Sequence, residues 1–239
     1  MTTRAVATPP RHPRFVRITH WLTVVACLAL LVSGIEVVIS HPRFYWGEVG
    51  NVNTTPLFTI PVPASRDAVP TGYGFVLPDQ NGWSRYLHFQ AAWLALFTGV
   101  VYLVAGVRRG HFRRHLVPEA ADRSWRALRT TLSDHLRFRA SAFGDARSYN
   151  ALQRVSYLLV VFALFPLLIW TGLAMAPGFT AVFPWTVERL GGRQSARTLH
   201  LAVTVALVLF TVVHVTMIVF AGFRGRVRAM ITGTAEPSR

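Results

Sequence analysis

Two histidines, His200 and His214, lie in one long apolar run near the end of the chain, residues 197–218. Fourteen residues advance a helix by about 21 Å and bring it back to within about 40° of the starting face. The two imidazoles would therefore share one side of a helix, near opposite edges of a hydrocarbon layer about 30 Å thick. Polar groups at this depth are costly and usually functional. The spacing therefore predicts two separate sites at two depths of a membrane.

The composition indicates an integral membrane protein. Of the 239 residues, 52% are hydrophobic and 15% are charged, whereas about 25% of the residues in a soluble domain are charged. Four apolar stretches are long enough to span a bilayer, at about residues 18–40, 87–107, 152–175 and 199–220. Because backbone polar groups in lipid must be satisfied internally, we expect an all-α fold of four transmembrane helices. Residues 1–239 would form a single membrane domain.

The arginines predict the orientation. All 25 basic residues are arginine, and with the N-terminus inside, nineteen fall on the cytoplasmic side and six on the outer side. The positive-inside rule then places both termini in the cytoplasm. This topology and contact with anionic lipid headgroups account for the net charge of +15, so nucleic acid is not expected as a partner. The first span is too long for a signal peptide, and we expect a retained anchor.

Two loops have distinctive compositions. The outer loop between spans one and two, about residues 42–83, is rich in Pro, Gly, Asn and aromatic residues. It is either a structured cap that serves as a docking surface or a loop that only packs on its own helix ends. In the inner loop, one helical face carries apolar residues among arginines, which predicts an interfacial amphipathic helix; these residues are Trp125, Leu128, Leu132 and Leu136.

Four histidines fall within the predicted spans, two at each level. His20 and His214 lie near the inner side, and we call them the inner pair; His88 and His200 lie near the outer side and form the outer pair. Bis-imidazole ligation of two b-type haems accounts for all four residues. A zinc site would need further carboxylates or thiolates, proton relays would not require matched levels, and a lone histidine in a span is often only a packing residue. The single cysteine, Cys27, excludes a covalent CxxCH haem, so the cofactor would be non-covalent.

Arginines and glycines accompany the histidines. An arginine precedes a histidine by three residues at three places, Arg17–His20, Arg85–His88 and Arg197–His200. Residues three apart share a helix face, so each guanidinium either reaches a haem propionate or anchors a helix end at the interface. Gly34, fourteen residues after His20, is expected near the outer level, and Gly99, eleven after His88, near the inner level, where a porphyrin would need room. The remaining histidines are interpreted as solvated; they are His12, His41, His111, His115 and His135.

The chain resembles a cytochrome b family over about residues 12–225. The resemblance rests on RITHW at 17–21, RYLHF at 85–89, SYNALQR at 148–154 and the two histidines of span four. The family, related to cytochrome b561, provides the membrane subunits of respiratory formate dehydrogenases, nickel–iron hydrogenases and thiosulfate-reductase-type enzymes of the bacterial inner membrane. It implies two stacked b haems and a quinone, menaquinone or ubiquinone, near the inner haem.

The resemblance also implies residues for the quinone and a partner. Asn150, Gln153 and Arg154 match a segment beside the quinone pocket, although Asn150 could instead cap a helix. The partner would be an extracytoplasmic redox subunit, a molybdopterin or iron–sulfur protein, with this chain as its electron-transfer subunit. The long outer loop resembles that of cytochromes b found beside periplasmic molybdopterin oxidoreductases. Two alternatives are a stand-alone cytochrome b561-type quinone oxidoreductase, for example from superoxide to quinone, and a haem-free anchor.

Overall fold

A computed structural model describes residues 12–51, 53–62, 69–71, 74–76, 80–117, 129–130, 133 and 151–233. These residues are mainly helical. The α-helices are α1 Arg14–Ser40, α2 Gln80–Arg108, α3 Ala151–Leu159, α4 Phe165–Ala174, α5 Pro177–Val182, α6 Trp185–Glu188, α7 Arg193–Phe220 and α8 Phe223–Thr232. Two π-helical turns, Phe112–Leu116 and Val160–Leu164, follow α2 and join α3 to α4.

Four helical segments are long and apolar enough to cross a membrane, as the sequence predicted. They are Arg14–Ser40, Gly82–Arg108, Leu152–Ala174 and Arg193–Phe220. Three of them begin four to six residues before the apolar runs, because a helix can continue into the headgroup region, where its first turn carries polar side chains. The protein is therefore an integral membrane protein with four transmembrane helices; the orientation of its termini stays a prediction.

The third span is interrupted by the π-helical turn Val160–Leu164. Pro166 follows this turn in the first residues of α4. Proline has no N–H and its ring clashes with the carbonyl four residues earlier, so a regular helix cannot pass through it unchanged. A π turn absorbs the irregularity and shifts the face that the following residues present. Thr171 and Gly172, which lie beside a histidine described below, belong to this shifted part of the span.

The chain divides into two compact units, each of which draws on all four spans. One comprises Met1–Trp21, Val100–Leu158 and Phe210–Arg239, and contains the inner pair. The other comprises Leu22–Gly99 and Leu159–Leu209, and contains the outer pair. We call them the inner unit and the outer unit, after the predicted levels of their histidines.

In the outer unit, the loop after α1 caps the start of α7. The Gly47 carbonyl accepts hydrogen bonds from the N–H groups of Gln194 and Ser195, at 3.0 and 3.2 Å. The Glu48 carboxylate accepts one from the N–H of Arg193, at 2.8 Å. The first N–H groups of a helix have no partner within it, and a carboxylate there also interacts favourably with the helix dipole. The described part of the outer loop is thus a structured cap; docking on it stays a prediction.

Short strands and buried aromatic rings stabilise this cap. Strand β1, Arg43–Phe44, pairs antiparallel with β2, Phe58–Thr59, and a second hairpin joins β3, Val69–Thr71, to β4, Gly74–Val76. Tyr45 is only 1% exposed, and its carbonyl accepts a hydrogen bond from the Thr198 hydroxyl of α7 at 2.7 Å. The loop therefore packs closely on the helix that carries His200.

In the inner unit, the C-terminal helix α8 is attached to the start of α1. The Arg17 guanidinium donates to the Ile231 carbonyl at 2.7 Å, and the Trp21 indole N–H donates to the Met230 carbonyl at 3.3 Å. These carbonyls lie in the last turn of α8, where a helix leaves its acceptors without internal partners. The apolar residues of the predicted amphipathic helix in the inner loop lie outside the described residues; they are Trp125, Leu128, Leu132 and Leu136.

Replacing Gly192 by alanine should loosen the outer cap. Gly192 has a φ of 113°, and a Cβ there would lie 2.5 Å from the Gly47 carbonyl group. Backbone strain and collision should cost about 1–3 kcal/mol, which thermal unfolding in detergent would register as a lower midpoint. Gly178→Ala is the matched control, because a Cβ on Gly178 meets nothing within 4 Å. An unchanged midpoint for Gly192→Ala would contradict the described packing of the cap.

Candidate functional site

The outer pair brings two imidazoles from different helices close together, in an edge-on arrangement. The ring centroids of His88, on α2, and His200, on α7, are 6.3 Å apart, with an interplanar angle of 62°. A ring nitrogen lies about 1 Å from its centroid and a metal–imidazole bond is about 2 Å, so two imidazoles on opposite sides of one metal ion have centroids about 6 Å apart. The observed separation therefore suits two axial ligands of one metal.

A hydroxyl group holds each ring of the outer pair at Nδ1. The Ser33 hydroxyl of α1 lies 3.0 Å from His88 Nδ1, and the Thr171 hydroxyl of α4 lies 2.9 Å from His200 Nδ1. Each hydroxyl also bonds the carbonyl four residues earlier in its own helix, that of Ala29 at 2.7 Å for Ser33 and that of Leu167 at 2.8 Å for Thr171.

These bonds assign the tautomer of both rings. A hydroxyl has one proton, and serine and threonine in membrane helices commonly give it to the carbonyl four residues earlier. The hydroxyl oxygen can then only accept from the imidazole, so Nδ1 carries the ring proton and Nε2 has the lone pair that a metal ligand needs. This donor set fits a b-type haem, whose porphyrin supplies four nitrogens and which needs two axial imidazoles.

A glycine lies against each imidazole of the outer pair. A Cβ on Gly34 would lie 3.6 Å from His88 Cε1, and a Cβ on Gly172 would lie 3.4 Å from His200 Cε1. The prediction that Gly34 faces the outer level is thus confirmed. Sequence reasoning missed Ser33, Thr171 and Gly172. The signal for them is a pattern that occurs in spans one and three, leucine, two residues, a hydroxyl residue and glycine, at 30–34 and 168–172.

Two arginines of the outer unit, Arg197 and Arg85, act on His41 at the end of α1. The Arg197 guanidinium donates to the His41 carbonyl and lies 4.6 Å from the centroid of the Phe44 ring. Burial and the guanidinium groups of Arg197 and Arg85 lower the pKa of His41, so the two arginines act on one place. Such a cluster suits carboxylates. The contacts of Arg197 anchor the helix start to the outer loop, and contact with a propionate stays a prediction for both arginines.

The two histidines of the inner pair lie in one compact unit, each beside aromatic side chains. His20 and His214 are close enough to interact electrostatically. The His214 ring stacks on Phe210, with centroids 5.6 Å apart at 18°, and meets Tyr157 edge-on at 6.1 Å. Within the described part of the chain, the buried Nδ1 of His20 has no hydrogen-bond partner. Both rings therefore share a neighbourhood, and the hydroxyl support of the outer pair has no counterpart at His20 Nδ1.

The structure describes most of the other residues predicted to act at the inner haem and the quinone. Arg17 contacts the end of α8, as described above, and its predicted contact with a propionate is untested. Gln153 is half-buried and Arg154 is 9% exposed, with its guanidinium donating to the Val117 carbonyl at 3.1 Å. Asn150 lies outside the described residues. Gly99 belongs to the outer unit, and a Cβ on it meets nothing within 4 Å.

The interpretation of His111 as solvated is wrong. The chain turns at Gly110, with φ 62°, and His111 is only 6% exposed. Its ring packs edge-on against Phe15, with centroids 5.4 Å apart. Burial and, less strongly, the neighbouring His115 lower the pKa of His111 to about 4. His115 is exposed as expected, His12 and His41 are half-buried, and His135 lies outside the described residues.

The zinc alternative gains no support. Among the residues that the structure describes, no group of three or more His, Cys, Asp or Glu side chains could hold a metal ion. Paired imidazoles between transmembrane helices, with two nitrogens free of protons, instead define a membrane cytochrome of the b type.

Comparison with known proteins leads to the same class of protein. A family model described as prokaryotic cytochrome b561 matches residues 11–233, and the chain belongs to this family. It is accordingly a multi-pass electron-transport protein of the bacterial inner membrane, with b-type haem as the cofactor that the family implies. A curated relative from Azospira oryzae, the putative protein-methionine-sulfoxide reductase subunit YedZ1, is 32% identical over 212 residues, 87% of this chain and 89% of the relative. No solved structure matches the chain.

The low pKa of His111 predicts a loss of stability in acid. The unfolded imidazole takes up its proton near pH 6.5, whereas the folded one does so near pH 4. Between these values the unfolded state binds more protons, so the free energy of unfolding falls as the pH falls. His111→Phe removes the titrating group and keeps an aromatic ring, and should show a smaller loss in pH-dependent unfolding in detergent. The same pH dependence in both proteins would contradict the burial of a neutral His111.

Proposed function

We propose that this protein is a dihaem electron-transfer subunit that carries electrons between an extracytoplasmic redox enzyme and quinone in the membrane. The observation that carries the proposal is the outer pair, whose centroid separation of 6.3 Å suits two axial ligands. The inner pair supports a second haem, because His20 and His214 are neighbours in a separate compact unit. The haems supply the one-electron chemistry.

The side chains of this protein would bind and orient the haems and would exclude water from them. His88 and His200 would bind the outer haem through Nε2, and Arg85 and Arg197 would place positive charge near its carboxylates. His20 and His214 would bind the inner haem among the rings of Trp21, Tyr157 and Phe210. The apolar lining of both places lowers the local dielectric constant and keeps water from the iron.

We propose that quinone binds in the inner unit beside the start of span three. Gln153 and Arg154 are polar groups at the beginning of that span, and the amide of Gln153 could donate to a quinone carbonyl. Asn150 is the third residue of this proposed pocket, from the resemblance alone. The burial of Arg154 and its bond to the Val117 carbonyl support a built, polar environment there.

The proposed partner is an extracytoplasmic reductase with a molybdopterin or iron–sulfur centre. The relative's name describes a subunit of a protein-methionine-sulfoxide reductase, which is the partner we favour. Electrons would then flow outwards. Oxidation of a quinol releases two electrons and two protons, and reduction of a methionine sulfoxide consumes two of each and yields methionine and water.

The outer cap offers a surface for such a partner. Trp46, Val49 and Leu57 are each about 60% exposed, although they belong to a loop that is fixed by hydrogen bonds to α7. A structured cap with apolar side chains on its outside favours a protein partner over the alternative, a stand-alone cytochrome b561-type quinone oxidoreductase. The haem-free anchor is disfavoured by the paired imidazoles and by the family.

Substituting one inner ligand should remove one haem. His214→Ala should lower the haem content of the purified protein from two per chain to one and leave the spectrum of the other haem intact, because the outer ligands lie in a different unit. Exposed His115, in the same unit as His214, provides the matched control, and His115→Ala should keep both haems. Two haems in His214→Ala would show that His214 is not a ligand.

A quinol should reduce the haems through the inner unit. With a short-chain quinol as donor, stopped-flow spectra should show haem reduction that is at least about tenfold slower in Gln153→Ala, the loss expected when a charge-free hydrogen bond of about 1.4 kcal/mol is removed. Gln90→Ala, an exposed glutamine on α2, should reduce at the wild-type rate. Equal rates of haem reduction in the wild-type protein and both variants would show that Gln153 does not contact the quinone.

A further inference from the structure

The two helices that support the outer pair use the same local arrangement. In α1, Ser33 bonds the His88 ring and Gly34 lies beside it; in α4, Thr171 and Gly172 do the same for His200. Each hydroxyl also lies within hydrogen-bond distance of the carbonyl three residues earlier, that of Leu30 at 3.2 Å from Ser33 and that of Leu168 at 3.0 Å from Thr171.

The carbonyl groups around each hydroxyl set the direction of its bond to the ring. A carbonyl oxygen can only accept, so the hydroxyl proton is directed to its own helix. The hydroxyl oxygen is then left to accept from a ring that donates at Nδ1. A histidine ligand that donates its second N–H becomes more basic and is held in one orientation, and greater basicity favours ferric over ferrous iron.

We propose that Ser33 and Thr171 are positioning residues of the outer haem, which hold both axial imidazoles in one tautomer and lower the reduction potential of that haem. This inference rests on the haem assignment of the proposed function. The inner pair differs, because Nδ1 of His20 has no hydrogen-bond partner among the residues that the structure describes. The hydroxyl groups therefore act on one haem of the two.

The test is a spectroscopic redox titration of the full-length, detergent-purified protein with its haems. Ser33→Ala and Thr171→Val remove a hydroxyl with little change in volume. Each should raise the potential of the outer haem, and their combination should shift the ratio of ferric to ferrous binding constants at least about tenfold, which is 59 mV for one electron. The potential of the inner haem should stay unchanged. A variant that loses the outer haem and keeps the inner one also supports the proposal.

Two further variants distinguish the effect of the hydroxyl group on the imidazole from a general effect on helix packing. Thr171→Ser keeps the hydroxyl and should keep the wild-type potential. Thr204 is the matched control on α7, since its hydroxyl donates to the His200 carbonyl at 2.8 Å and back-bonds within the helix as Thr171 does. Thr204→Val should leave both potentials unchanged.

The outcomes distinguish this inference from the proposed function. Two haems with wild-type potentials in Ser33→Ala, Thr171→Val and the double variant would overturn the role of the hydroxyls and leave the dihaem assignment standing. An equal shift in Thr204→Val would also overturn it, because the effect would then come from helix packing. A wild-type protein that binds no haem would overturn both.

Discussion

An imidazole N–H that is buried between apolar helices without a partner costs several kcal/mol, so a hydrogen bond there has a large effect on the ring. The outer unit provides such hydrogen bonds with the hydroxyl groups of Ser33 and Thr171. Their bonds to Nδ1 leave Nε2 as the ligand atom in both rings. Gly34 and Gly172 allow the helices to approach the rings closely. The tautomer of both rings, and with it the nitrogen that is free to bind a metal, depends on these two hydrogen bonds.

The position of His200 depends in addition on the outer loop. His200 lies in the second turn of α7, and the loop fixes that end of the helix through Gly47, Glu48 and Tyr45. A cap that supplies acceptors for the first N–H groups determines where a helix starts. The same residues thus fix the ligand helix and present an apolar surface outside. We infer that a partner bound to the cap would lie close to the helix end that carries an outer ligand.

Much of this organisation follows from the sequence, because apolar length determines a span and helical spacing determines a histidine level. The spans and both histidine pairs were predictable on these grounds. Ser33 and Thr171 were not, since hydroxyl residues in spans usually bond only their own backbone, and which ring they meet depends on helix packing. The burial of His111 depends on a turn at Gly110 that folds it onto Phe15. Arg17 and Arg197 bond main-chain carbonyls of segments distant in sequence, which spacing alone does not reveal.

The central claim is that the chain holds two b-type haems, one at each histidine pair. A pyridine haemochrome assay on the detergent-purified wild-type protein, combined with its reduced-minus-oxidised spectrum, tests this claim most directly. We expect two b haems per chain with no covalently attached haem. One haem per chain, in cells that make haem freely, would contradict the assignment of one pair, and a colourless protein would contradict the assignment of both pairs.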